Sequence, residues 1–251
     1  MRFPILFLLL AFSPGLVCAQ SDFRLTTAPL PRLEDALIPL PAPLGDAMVR
    51  ETLDSKVTLP KPEELLKQVV NQLKTRQFEQ ALPRLEYLQS LRPTGDPDIL
   101  ILRGCVYAES GRPDIAESIF RKVVVIVPTH IWARLNLAEA LLTQQKYAEA
   151  EQELSILSAA RPESEVVRYK LILAMALQKK IAPAEQELQH LEEHASTPAY
   201  YFAKAAIAFA AGDASKGKDL VGQARKSYAE GQTKYFYASL ATQKWVPAEP
   251  E

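Results

Sequence analysis

A small residue returns along this chain at the period of a pair of helices. Ala81, Ala116, Ala150, Ala184 and Gly217 follow one another at spacings of 35, 34, 34 and 33. Four residues after each stands a large apolar side chain (Leu85, Phe120, Leu154, Leu188, Val221), and three further on come Leu88, Val123, Leu157, Leu191 and Ala224. Steps of four and three keep all three positions on one face of an α-helix. Two antiparallel helices approach closely only where a side chain is missing or tiny, so each recurrence predicts one helix crossing with the larger residues filling the space on either side.

A partner helix precedes each of these, with small residues at Gly104, Ala138 and Ala205, while Val69 and Ile172 hold the matching places. Turn residues separate the two helices: Ser110-Gly111-Arg112-Pro113, Gln145-Lys146 and Ala211-Gly212-Asp213. Pro62, Pro97 and Pro198 sit where first helices should begin, with Asp96 and Thr197 before two of them as N-caps. Pro93, Pro128 and Pro162 each fall twelve residues after the small residue, where second helices should stop. Pro83 falls early in its helix, and a frayed or kinked start is expected there. From Pro62 onward Ala, Leu, Glu, Gln and Lys dominate, all good helix formers.

Period, small residues and prolines together resemble the tetratricopeptide repeats, whose unit is ~34 residues. The best unit carries Gly104-Cys105-Val106-Tyr107, Gly111, Ala116, Phe120 and Pro128. The unit with Leu137, Ala138, Tyr147, Ala150 and Pro162 is nearly as good. The first unit has Gln72 where a tyrosine is usual, and the last lacks its closing proline. The resemblance implies an all-α, right-handed superhelical solenoid of about five helix-turn-helix units plus a C-terminal capping helix. The expected units are 62–95, 97–130, 131–164, 165–197 and 198–231, within a repeat region of 61–231. A capping helix over 232–245 and a tail over 246–251 follow. Tyr237, Ala241 and Trp245 share one face of the capping helix, with Phe236 and Leu240 beside it, and such aromatics read as a plug on an exposed stack end.

The regions before the repeats have a different texture. Arg2, the apolar run Ile5–Phe12, the break at Pro14-Gly15 and the sequence Val17-Cys18-Ala19 lay out a secretory signal, 1–19, cleaved after Ala19. The protein is therefore expected in the periplasm or secreted. A lipid-bearing Cys18 is the alternative, against which Val17 stands where a lipoprotein signal has a small residue. Residues 20–60 hold Pro29, Pro31, Pro39, Pro41, Pro43 and Pro60, and read as a proline-rich, disordered arm. After cleavage only Cys105 would remain, so no intramolecular disulfide is expected. Basic and acidic residues nearly cancel, 29 against 30, and are spread along the chain. That excludes a polycation for nucleic acid, and the basic residues Lys216, Lys218, Arg225 and Lys226 read as ordinary surface.

One motif invites a catalytic reading. His190-Leu191-Glu192-Glu193-His194 matches H-x-x-E-H, in which two histidines one helical turn apart bind zinc and a glutamate serves as base. A zinc hydrolase using His190, Glu193 and His194 is thus one alternative. The opposing observations are that Leu191 belongs to the repeat core and that the remaining histidine, His130, lies two units away. Cys105, with no histidine near it in sequence, reads as a buried, inert thiol. No phosphate-cradling glycine loop, nucleophile elbow or C-x-x-C occurs, so no cofactor is expected and the chain is read as not an enzyme.

In relatives of the resembled family, the first helix of each unit lines a concave groove. Carried across, that face holds Leu66, Val70, Ile101, Cys105, Trp132, Leu135, Glu139, Tyr169, Leu173, Phe202 and Phe209. Some relatives clamp a peptide carboxylate there with lysines and asparagines. Here the clamp places hold Leu66, Ile101, Leu135, Tyr169 and Phe202, so that clamp is absent. So apolar a groove suits a hydrophobic helix or extended segment of a cell-envelope protein. The alternatives are an apolar small ligand such as lipid or a cell-wall fragment, and side chains packed on each other or covered by the proline arm. A scaffold or adaptor with protein partners, no nucleic acid and peripheral membrane association is the expected function.

Overall fold

Residues 61–91, 96–192 and 197–248 are described by the structure, a computed structural model. The expected signal segment and arm, and Glu193 and His194, lie outside the described residues. Eleven helices and no strand occur among those described. The chain divides into two compact units, whose described parts are 61–128 and 129–248.

The first unit holds two helix pairs: α1 (Pro62–Lys74) with α2 (Phe78–Ser90), and α3 (Pro97–Glu109) with α4 (Pro113–Ile126). Pro62, Pro97 and Pro113 each open a helix, where a missing N–H breaks no bond. Asp96 caps α3 by accepting from the Asp98 N–H at 3.0 Å. The crossing of α3 and α4 shows why the small residue is required. A Cβ placed on Gly104 would stand 2.4 Å from the ring of Phe120, which is itself fully buried. Pro83 does not fray its helix, contrary to expectation: α2 begins at Phe78 and runs unbroken to Ser90, with Ala81 and Leu85 sealed on either side of the proline. Cys105 is fully buried, as expected. The chain's other cysteine, Cys18, lies outside the described residues.

The second unit holds three pairs: α5 (Ile131–Thr143) with α6 (Tyr147–Ala160), α7 (Glu165–Leu177) with α8 (Ile181–Leu188), and α9 (Ala199–Ala210) with α10 (Ala214–Ser227). A last helix, α11 (Glu230–Thr242), follows. Ala150, Ala184 and Ala138 have no exposed surface, and a Cβ on Gly217 would meet the Phe209 ring at 2.7 Å. Two ion pairs recur one repeat apart, Arg134 with Glu153 and Arg168 with Glu187, each joining the two helices of a pair.

A backbone signature marks every first helix. Arg76, Gly111, Gln145, Lys179, Gly212 and Lys244 all have φ between 56° and 93°, at spacings of 35, 34, 34, 33 and 32. Each is followed by an N–H that reaches back five residues, as from Arg112 to the Tyr107 carbonyl at 2.8 Å and from Trp245 to the Leu240 carbonyl at 3.1 Å. This is the Schellman ending, which satisfies helix carbonyls through one left-handed residue and favours glycine, as at Gly111 and Gly212. Because α11 ends in the same way, it is the sixth first helix of the series in local structure. Its packing departs from the series, as shown next.

Candidate partner-binding face

Helices α5, α7 and α9 are the first helices of the second unit, and each presents residues from the expected groove. Leu135, Glu139, Tyr169, Leu173, Phe202 and Phe209 are buried there, and Trp132 is half-buried. In the first unit, Leu66 and Val70 are half-buried, while Ile101 and Cys105 are buried. The face in the second unit is therefore not an open groove. Its cover is α11.

Phe236 of α11 enters between two rings, 4.9 Å edge-on from Tyr169 and 5.6 Å stacked against Phe202. Such pairs contribute about 0.5–1.5 kcal/mol each beyond the area they bury. Beyond the helix end, Trp245 stacks on Phe209 at 5.6 Å. From α10, the Arg225 guanidinium lies 4.8 Å over the Tyr237 ring. So α11 does more than close one end of the stack: it touches α9, α7 and α5 in turn. The side chains it buries are Thr233, Phe236, Tyr237, Ser239 and Leu240.

The polar centre of this contact is a buried ion pair. Lys170 Nζ lies 2.9 Å from Glu139 Oε1 and donates to Oε2 at 3.1 Å, and both side chains are almost wholly shielded, at 2% and 5% exposure. The Tyr235 hydroxyl of α11 donates to the same Oε1 at 3.0 Å, and its ring lies under the ammonium at 4.9 Å. Tyr169 shares a hydrogen bond with Ser239, whose hydroxyl donates to the Phe236 carbonyl at 2.8 Å. Sequence reasoning singled out Glu139 and Tyr169 but missed Lys170, Tyr235 and Ser239. A signal for Lys170 existed: it is the one charge inside the run Tyr169–Leu177, and a lone charge in such a run needs a buried partner.

Burial, then the Glu139 carboxylate beside it, pushes the Tyr235 phenol well above its ordinary range. Burial does the same for Tyr169, opposed by its bond with Ser239 and reinforced by Glu139. A phenol raised above its unfolded value of 10.0 keeps its proton longer in the folded state. The stability it contributes is complete below pH 10 and is lost as pH rises through the folded value. In an alkaline titration followed by phenolate absorbance, these two tyrosines should ionise only as helix is lost. Tyr169→Phe and Tyr235→Phe should each remove part of that late step; a curve unchanged by both would contradict the burial of these hydroxyls.

Of the H-x-x-E-H segment, the structure describes His190, Leu191 and Glu192. α8 stops at Leu188, and the N–H groups of His190 and Leu191 bond three residues back, to Glu187 and Leu188, the tightening of a helix's last turn. His190 is exposed in that turn, Leu191 is buried, and the described residues contain no cluster of three metal-ligating side chains. The exposed basic residues Lys216, Lys218, Arg225 and Lys226 lie on α10.

Tandem helix pairs, crossed at small residues and ending in repeated Schellman turns, define an α-helical repeat protein. Its fold is that of the tetratricopeptide repeats, and residues 107–167 match that family's model, a tetratricopeptide repeat. The solved structures similar to it share that fold. MamA (41-end) from Desulfovibrio magneticus RS-1 is 20% identical, with a TM-score of 0.56 over 68% of this chain and 97% of that one. A thermophilic TPR protein from Thermus thermophilus is 19% identical, with a TM-score of 0.55 over 71% and 99%. A tetratricopeptide repeat protein from Parabacteroides merdae is 18% identical, with a TM-score of 0.54 over 77% of each. At these identities the likeness shows the fold alone. No curated protein matches. Proteins of this family generally mediate protein–protein interactions.

Proposed function

We propose that this protein is a non-enzymatic scaffold of the cell envelope, exported behind residues 1–19, that holds a partner segment on the inner face of its first helices. One observation carries the reading: the face formed by α5, α7 and α9 accommodates a helix, α11, through Tyr169, Phe202 and the Glu139–Lys170 pair. A surface that packs a helix in cis has the shape and chemistry to pack one in trans. Export is supported by the layout of the first nineteen residues.

A photo-cross-linking residue at Trp132, half-buried on α5, tests this in cells of the native host. One or a few envelope proteins should cross-link there, and not from Ile156 on α6, whose side chain is 51% exposed. Equal yields from both positions, or none from Trp132, would sink the inner-face reading.

A further inference from the structure

We infer that the inner face of α5, α7 and α9 is a receptor for an aromatic amphipathic helix of another protein, and that α11 is the chain's own competitor for that seat. The inference rests on the scaffold reading and names the partner's chemistry.

The receptor is complete without α11. Its ion pair is made by Glu139 of α5 and Lys170 of α7, and its aromatic slot by Tyr169 of α7 and Phe202 of α9. Removing α11 leaves both charges paired with each other, so the seat can empty without stranding a buried charge. The helix α11, by contrast, is held together by its seat. Gly231, Thr233, Tyr235, Phe236, Tyr237, Ser239 and Thr242 are weak helix formers, and they make up over half of its thirteen residues. An isolated helix shorter than ~12–15 residues is marginal in water even when its composition is favourable. Its link to α10 is short and already extended, Tyr228 at φ −127°, ψ 151° and Ala229 at φ −62°, ψ 150°. Release therefore breaks no helix other than α11 itself.

The register of α11 also shows that this position is a departure. Its Schellman ending places it as the next first helix of the series, yet it reaches back to a residue of α5, 96 positions earlier in the chain. What holds it there is specific to side chains. A phenol hydroxyl meets Glu139 while its ring lies beneath Lys170, a phenyl ring fills the slot between Tyr169 and Phe202, and a small hydroxyl meets Tyr169. A competing partner helix would carry the same groups at the same steps: a tyrosine, a phenylalanine immediately after it, and a serine three residues beyond that, as in Tyr235, Phe236 and Ser239.

The probe is a labelled synthetic peptide of Ala229–Val246, titrated against the full chain and against the full chain carrying Phe236→Ala. A tethered competitor acts at an effective concentration on the order of millimolar, so weakening it should tighten peptide binding by at least ~10-fold. Adding Phe202→Ala to the open chain should abolish binding, and a peptide carrying Phe236→Ala should bind neither form. A second readout needs no variant: saturating peptide should accelerate amide hydrogen exchange across α11 of the unmodified chain. Equal affinity for both forms, binding that survives Phe202→Ala, or unchanged exchange in α11 would each overturn the inference. A Phe236→Ala chain that excludes peptide by exchanging helices with a second copy would assign the seat to self-association and overturn it as well. If cross-linking from Trp132 succeeds while the peptide fails, the scaffold reading stands and only this inference falls.

Discussion

Ala150→Trp is expected to destroy the packing of the second unit's first helix pair. Ala150 has no exposed surface and lies in the first turn of α6, facing α5, whose own small residue is Ala138. An indole has nowhere to go unless the helices separate. Overpacking a filled core costs about 1–3 kcal/mol even for extra methylenes, and a whole indole at a crossing exceeds that range. In a chain of this size each kcal/mol moves the melting temperature by roughly 2–4 °C. Loss of cooperative melting, or a drop of about 10 °C or more, is therefore expected by circular dichroism. Gln152→Trp, exposed on the same helix, is the control and should melt like the parent. If Ala150→Trp also melts like the parent, the register of the repeat is wrong.

Lys170→Ala should be nearly as damaging, for a different reason. It leaves the Glu139 carboxylate buried with only the Tyr235 hydroxyl to answer it. Breaking a buried pair by removing one partner typically destabilises by about 3–5 kcal/mol, because the remaining charge is stranded. Replacing both partners with apolar residues of similar volume, Glu139→Leu with Lys170→Met, should recover most of that loss. Urea unfolding of the parent, the single variant and the double variant checks this. A double variant no more stable than Lys170→Ala would show that the pair is not the source of the loss. The double variant should still seat Phe236, since the slot between Tyr169 and Phe202 does not involve either charge.

The candidate site was legible only in part. Eleven positions came from carrying the inner face of the resembled family onto this chain's repeats. Their burial states did not follow. Leu66 and Val70 are half-buried while Tyr169 and Phe202 are sealed, although the same rule selected all four. The difference is what lies on top, and for Tyr169 and Phe202 that is Phe236, 67 and 34 positions away along the chain. The H-x-x-E-H spacing counts residues as if the helix continued, and α8 stops at Leu188, two residues before His190.

By itself the sequence determined the helix pairs. Small residues at a period near 34, prolines at helix starts and left-handed turn positions all act over a few residues, so they can be read along the chain. It also determined that α11 is amphipathic and must bury Phe236 and Leu240 somewhere. Only the tertiary structure decided where. Apolar burial is non-directional, so a helix face specifies that it must be covered and not by what. The choice fell to three long-range partners, Glu139, Tyr169 and Phe202, whose convergence no local pattern encodes.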